Sequence, residues 1–90
     1  MRFEWDADKS NANKGKHGID FERAKNIWLD ENRVEICAPH PVEDRSIIIG
    51  EVYNKLWTAI YTMREDTVRI ISVRRAREKE ARLYEKEKVS

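Results

Sequence analysis

The sequence predicts an α+β domain in the order β-α-α-β-β-β-β-α, with two N-terminal helices packed on a largely antiparallel sheet of four to five strands. Three observations predict it. Helix start signals stand at Asp6 and Asp20. From Arg45, three strand-like runs succeed one another across breaks of two residues, the length that joins antiparallel neighbours. From Ala76 the chain becomes densely charged and helical in pattern. Ninety residues leave room for one core, so residues 1–90 are expected to form a single domain.

Arg2 to Trp5 alternates polar and aromatic residues and is predicted as a short first strand. Asp6 then N-caps a helix over roughly 7–16, and Gly18 sits where a left-handed cap ends it. That helix is almost wholly polar, with Lys9, Asn13 and Lys16/His17 on one face. Asp20 opens a second helix whose Phe21, Ala24, Ile27 and Trp28 form one apolar stripe, ending near Leu29. Arg33 to Ala38 is a strand, and Cys37 within it is expected to be a small buried hydrophobe. Pro39-His40-Pro41 breaks that strand. Ser46 to Val52, Lys55 to Met63 and Thr67 to Val73 form a meander, and Glu78 and Arg82 are spaced to pair on the last helix.

Composition excludes several classes. The chain is 40% apolar and 39% charged, and no apolar run approaches the roughly 20 residues of a membrane-spanning helix. A single cysteine rules out an internal disulfide, and with two histidines it leaves a structural zinc site short of ligands. Met1-Arg2-Phe3-Glu4-Trp5-Asp6 lacks the apolar stretch of a signal peptide, so the reducing cytoplasm is the expected location. Lys plus Arg number 18 against 17 Asp plus Glu, a net +1 that fits neither charge-driven disorder nor a uniformly basic coat. The charge is unevenly spread, however: between Arg69 and Arg82 six cations face two anions.

Register follows from the two breaks. The one at Glu65-Asp66 sets Arg64 opposite Thr67, Thr62 opposite Arg69 and Tyr61 opposite Ile70. The one at Tyr53-Asn54 sets Arg45 opposite Thr62 and Ile48 opposite Ala59. One face then carries Ile48, Trp57, Ala59, Tyr61, Met63, Val68 and Ile70, a core floor under the N-terminal helices. The other carries Arg45, Thr62, Arg64 and Arg69, with Ile47, Ile49, Ile60 and Ile71 further along. Guanidinium groups on neighbouring strands repel unless an anion answers them. Phosphate suits them, because the fork donates two aligned hydrogen bonds to one anionic group. The alternative is neutralisation by Asp6, Glu43 or Asp66. Arg74 and Arg75 lie roughly 20 Å along the last strand from Arg64, too far to share one phosphate with it. Trp5, Trp28 and Trp57 are expected in the core.

Several segments together resemble one family, the BrnT toxins of bacterial type II toxin–antitoxin systems, whose fold is similar to that of the RelE/ParE toxins. They are Phe3-Glu4-Trp5-Asp6 with Lys9 and Asn13, Lys16-His17-Gly18 with Phe21 and Ala24, Arg45 with Ile49-Gly50, and Thr62-Met63-Arg64. Arg69-Ile70-Ile71-Ser72-Val73-Arg74-Arg75-Ala76, leading to Glu80 and Tyr84, completes the match. The resemblance spans essentially the whole chain and rests on the order and spacing of these pieces. Tyr53-Asn54 stands where that family pattern would place a glycine-containing turn. The resemblance implies a ribonuclease that cleaves RNA and stops translation. It also implies a BrnA-type antitoxin with a ribbon-helix-helix DNA-binding part, through which the complex represses its own operon.

Ribonuclease chemistry without a metal or other cofactor needs a base for the ribose 2′-OH, an acid for the leaving 5′-oxygen, and cations for the crowded phosphate. Arg64 and Arg69 are the candidates for the phosphate, with Arg45 supporting them. His17 is the proton-transfer candidate, since an ordinary imidazole titrates at about 6.5; the alternative is a role in ending its helix at His17-Gly18. Lys16 and Arg75 are candidates to hold flanking RNA. Arg74 either joins them or acts catalytically near Tyr84. Tyr84 is a catalytic candidate, to handle a proton or stack on a base; otherwise it anchors its helix to the sheet, and Glu80, one turn earlier, either orients Tyr84 or pairs with a cation. The rival functional reading is a catalytically idle module of the same fold that serves only as partner to a DNA-binding antitoxin.

Overall fold

A computed structural model of the chain describes residues 1–38 and 45–89. The Pro39-His40-Pro41 break and the candidate counter-charge Glu43 lie outside the described residues. Capping organises the N-terminal half. Asp6 Oδ1 accepts hydrogen bonds from the amides of Asp8 (2.9 Å) and Lys9 (3.1 Å), satisfying donors at the start of α1, Ala7–His17. Gly18, at φ 84°, ends α1 in the left-handed conformation, and its N–H donates to the Lys14 carbonyl. Asp20 caps α2, Phe21–Ala24, which tightens into a 3-10 segment, Lys25–Leu29.

Five strands form one sheet: β1 Arg2–Glu4, β2 Val34–Ala38, β3 Arg45–Val52, β4 Lys55–Arg64 and β5 Thr67–Arg75. Their spatial order is β1-β5-β4-β3-β2, with β1 parallel to β5 and every other pair antiparallel. The last helix, α3, is Glu78–Val89. Tyr53 and Asn54 both take positive φ, 51° and 64°, the turn geometry whose twist matches the strands it joins. The expected register holds: Ile48 is level with Ala59, Thr62 with Arg69 and Arg64 with Thr67.

One face of the sheet packs under α1, α2 and the 3-10 segment. Phe21, Ala24 and Ile27 are fully buried there against Ile48, Ala59, Val68, Ile70 and Val73. Phe3 and Tyr61 meet Trp28 edge-on, with ring centroids 5.1 and 5.3 Å away. Gly50 allows β3 to approach the 3-10 segment. A Cβ there would lie 2.9 Å from Ile27 Cγ2 and 3.0 Å from the Ile27 carbonyl oxygen. Gly50→Ala is therefore expected to destabilise the fold by about 1–3 kcal/mol, read as a lower urea midpoint at unchanged slope.

Three expectations are corrected. Cys37 is exposed, because β2 is the edge of the sheet and pairs only with β3. Met63 is 51% exposed, since it sits next to the strand end at the Glu65-Asp66 turn rather than under the helices. The third concerns β5. Tyr61 pairs with Ile70 but Ile60 pairs with Ser72, so Ile71 is an extra residue in a bulge and not a regular member of the outer face. Beyond it the two faces exchange: Val73 turns into the core, and Arg74 points to the opposite side.

The polar helix α1 docks through polar atoms. Ser10 Oγ accepts from the Phe21 amide (2.9 Å), and Asn13 Nδ2 donates to the Ile19 carbonyl (2.8 Å). Asn13 Oδ1 accepts from the Val73 amide (3.2 Å), on the stretch of β5 that β1 is too short to pair. Both side chains are buried, and each supplies a partner that a buried backbone group requires.

Candidate functional site

The second face of the sheet is ordered in rows that cross the strands. The row nearest the Glu65-Asp66 turn is Arg2, Thr67 and Arg64. The next is Glu4, Arg69 and Thr62, and the Ser46–Tyr61 pairing carries it on to Arg45. A third row is Ser72, Ile60, Ile47 and Ile36, and a fourth is Arg74, Thr58, Ile49 and Val34. Strand geometry spaces neighbouring rows by roughly 7 Å and neighbouring strands by about 4.8 Å. The third and fourth rows are polar only toward β5, whereas the first two carry four arginines on four different strands.

Helix α3 closes over the fourth row alone. Thr58 and Ile49 are fully buried there, and Tyr84 from α3 is 2% exposed. The first three rows are less covered: Arg2, Arg45 and Arg64 are exposed and Ile47, Ile60 and Ser72 are half-buried, although Thr62 in the middle of the second row is buried. Arg64 has no hydrogen bond or ion pair among the described residues. Arg69 is answered within the chain by Glu4, an acid that sequence spacing did not single out, with Nη1 donating to Glu4 Oε2 at 2.7 Å. That contact is single, so it leaves the second amino group of the fork unused among the described residues.

Arg74 is fully engaged. Its two amino groups donate to the two oxygens of Glu80 at 2.7 and 2.8 Å, a fork-to-fork pair. Glu80 Oε1 also accepts from the Arg77 amide (2.7 Å) and from Thr58 Oγ1 (3.0 Å). The Arg74 guanidinium is the main reason the Glu80 carboxyl is pulled down to about 2, against the opposing effect of burial. Of the two roles open to Glu80, the geometry gives it the cation pair. Tyr84 instead donates to Asp30 Oδ2 at 2.7 Å, an oxygen that also accepts from the Glu51 amide. Burial and then the Asp30 carboxylate push the Tyr84 phenol above its ordinary range. Burial by itself would raise the Asp30 carboxyl, but the Tyr84 hydroxyl and the Glu51 and Asn32 amides outweigh it and hold it below the ordinary value. Tyr84 thus anchors α3, and it does not meet Arg74.

Lys16 and His17 lie elsewhere. α1 starts beside Glu4, contacts Val73 through Asn13, and carries its last turn toward the Arg75 end of β5, about 15 Å from its first. Arg75 sits over the Trp57 ring, 5.5 Å from the centroid. The structure therefore brings Arg45, Arg64 and Arg69 together around Thr62 and leaves Lys16, His17 and Arg75 at the opposite end. Arg2 and Glu4 join the first group through the β1–β5 pairing. Their alternation with Phe3 and Trp5 was the available signal for their face; their neighbour across the sheet had none. Among the described residues, no His, Cys, Asp and Glu side chains cluster to hold a metal ion, and no helix is long and apolar enough to cross a membrane.

Fold and face together define a class: a small α+β protein with arginines from four strands on one face of its sheet. A family model described as "Ribonuclease toxin, BrnT, of type II toxin-antitoxin system" matches residues 5–80. The chain belongs to that family, so it is a ribonuclease toxin whose substrate is RNA and whose partner is a cognate antitoxin. A search of curated proteins finds no match.

Proposed function

We propose that RNA is bound and cut on the open arginine rows, with Arg64 and Arg69 stabilising the phosphate and Arg45 supporting them. The observation that carries this reading is the convergence of guanidinium groups from β1, β3, β4 and β5 on a solvent-open face. As the ribose 2′-oxygen attacks phosphorus, negative charge builds on the phosphoryl oxygens. Guanidinium donors that the sheet sets on adjacent strands stabilise that charge, and Arg69 is already oriented by Glu4. Transesterification of this kind is metal-independent acid/base chemistry. Lys16, His17 and Arg75 form a second basic area that suits flanking RNA, while Arg74 and Tyr84 serve to hold α3.

The antitoxin is of the BrnA type, with a ribbon-helix-helix DNA-binding part, and it neutralises the toxin in the cytoplasm by covering the arginine rows. The apolar third row, half-exposed beside them, gives such a partner a surface to bury. Binding of a 2′-O-methyl oligoribonucleotide, which cannot undergo the cleavage, tests the placement by amide NMR. Shifts centred on residues 62–70 and 2–4 are expected. Shifts confined to residues 14–18 and 74–76 would move the reaction centre to the other end of β5 and overturn the proposal.

A further inference from the structure

We propose that Glu4 is the general base of the cleavage, an inference that rests on the arginine rows being the RNA site. Glu4 and Arg69 are side by side, Oε2 to Nη1 at 2.7 Å, and their side chains keep 37% and 32% of their exposure. Only one oxygen and one amino group are used. Glu4 Oε1 and Arg69 Nη2 have no hydrogen bond among the described residues, so a phosphate received by Nη2 arrives next to an accepting carboxylate oxygen. The 2′-hydroxyl vicinal to that phosphate then lies within reach of Oε1, which is the geometric requirement for a base.

Other proton acceptors are poorly placed. Glu80 is saturated by Arg74, Arg77 and Thr58 beneath α3. The Tyr84 hydroxyl is buried on Asp30. His17 is at the far end of α1, and Glu65 and Asp66 are in the turn beyond the rows. The charged groups near Glu4 are Arg69 on β5, and Arg2 and Asp6 along its own chain; Arg64 lies two strands away on β4, one row nearer the turn.

The step balances as follows. Glu4 Oε1 takes the 2′-hydroxyl proton, the O2′–P bond forms and the P–O5′ bond breaks. The departing O5′ takes a proton from water, giving a 5′-hydroxyl strand and a 2′,3′-cyclic phosphate, and Glu4 returns its proton to solvent. No oxidant or further co-reactant enters.

Glu4→Gln keeps the size and an acceptor for Arg69 but cannot take the proton. Single-turnover cleavage at saturating protein is expected to fall about 10²- to 10⁴-fold, with affinity for the 2′-O-methyl RNA unchanged or tighter. The acid limb of the pH–rate profile is expected to disappear. Glu4→Asp, which keeps a carboxylate set further back, should cut at an intermediate rate and keep the acid limb, and it carries the test should Glu4→Gln fail to fold. If Glu4 is only a counter-charge, Glu4→Gln frees Arg69 and cuts at least as fast as wild type; that result overturns the proposal. Arg64→Ala separates the two readings. Lost cleavage in Arg64→Ala with full cleavage in Glu4→Gln removes the base but leaves the RNA site, whereas full cleavage in both removes both.

Discussion

Arg64→Ala is expected to lower RNA cleavage about 10²- to 10³-fold, the loss seen when one preorganised donor to a transition-state oxyanion is removed. Its melting temperature should stay within a few degrees of wild type. The two outcomes have one cause. Arg64 is exposed at the end of β4 and is flanked by Arg2 across Thr67 and by Arg69 in the next row. In the free protein its neighbours are mostly of like charge, so deletion removes repulsion as well as a donor, and stability is unchanged or slightly higher. With RNA bound, the same guanidinium gains a phosphate. Arg64→Lys keeps the charge without the fork and should recover part of the rate. If Arg64 contacts one phosphate, the salt dependence of single-stranded RNA binding should flatten by about 0.7 in log–log slope. Arg82→Ala is the control. It loses an exposed pair with Glu78 on α3, worth about a few tenths of a kcal/mol of stability, and should leave cleavage near wild type. Full cleavage by Arg64→Ala, or equal losses in both variants, would put the phosphate site elsewhere.

Much of this face is legible in the sequence because its geometry is local. Two-residue turns fix register, and alternation then sorts side chains, so Thr62 opposite Arg69 follows from counting. Caps are equally local, and Asp6, Gly18 and Asp20 act where their chemistry predicts. What stays hidden is non-local or irregular. β1 joins β5 in parallel across more than sixty intervening residues, and no turn sets that register, so neither Arg2 nor Glu4 can be placed beside Arg69 in advance. The bulge at Ile71 has no glycine to mark it, yet it decides that Arg74 faces Glu80 rather than the core. Asn13 reads as one more polar residue on a polar helix. Its buried position reflects the one stretch of β5 edge that lacks a strand partner.

Glu80→Ala is expected to destabilise the protein by about 2–4 kcal/mol, the range for removing one partner from a largely buried, multiply hydrogen-bonded ion pair. The Arg74 and Glu80 side chains are only 18% and 16% exposed. Without Glu80, Arg74 keeps only a long 3.4 Å contact to the Arg75 carbonyl, and the hydroxyl of fully buried Thr58 loses its acceptor. Helix α3 depends on this contact because its own apolar stripe is thin; Tyr84 is its one buried large side chain among the described residues. Glu80→Gln, which keeps the shape but not the charge, should lose less. The pH dependence has a definite sign. Arg74 first, with the Arg77 amide and the Thr58 hydroxyl, holds the folded Glu80 carboxyl at about 2 against an ordinary 4.5, outweighing burial. A carboxyl depressed by folding contributes stability that is fully present above its unfolded value and is lost as pH falls through the folded one. Wild type should therefore lose this contribution between about pH 5 and pH 2, and Asp30, also depressed, acts in the same direction. Glu80→Gln lacks that titration. Urea midpoints for the two proteins should be well separated at pH 7 and converge as pH approaches 2, while parallel curves would mean that the Arg74–Glu80 contact does not hold α3 to the sheet.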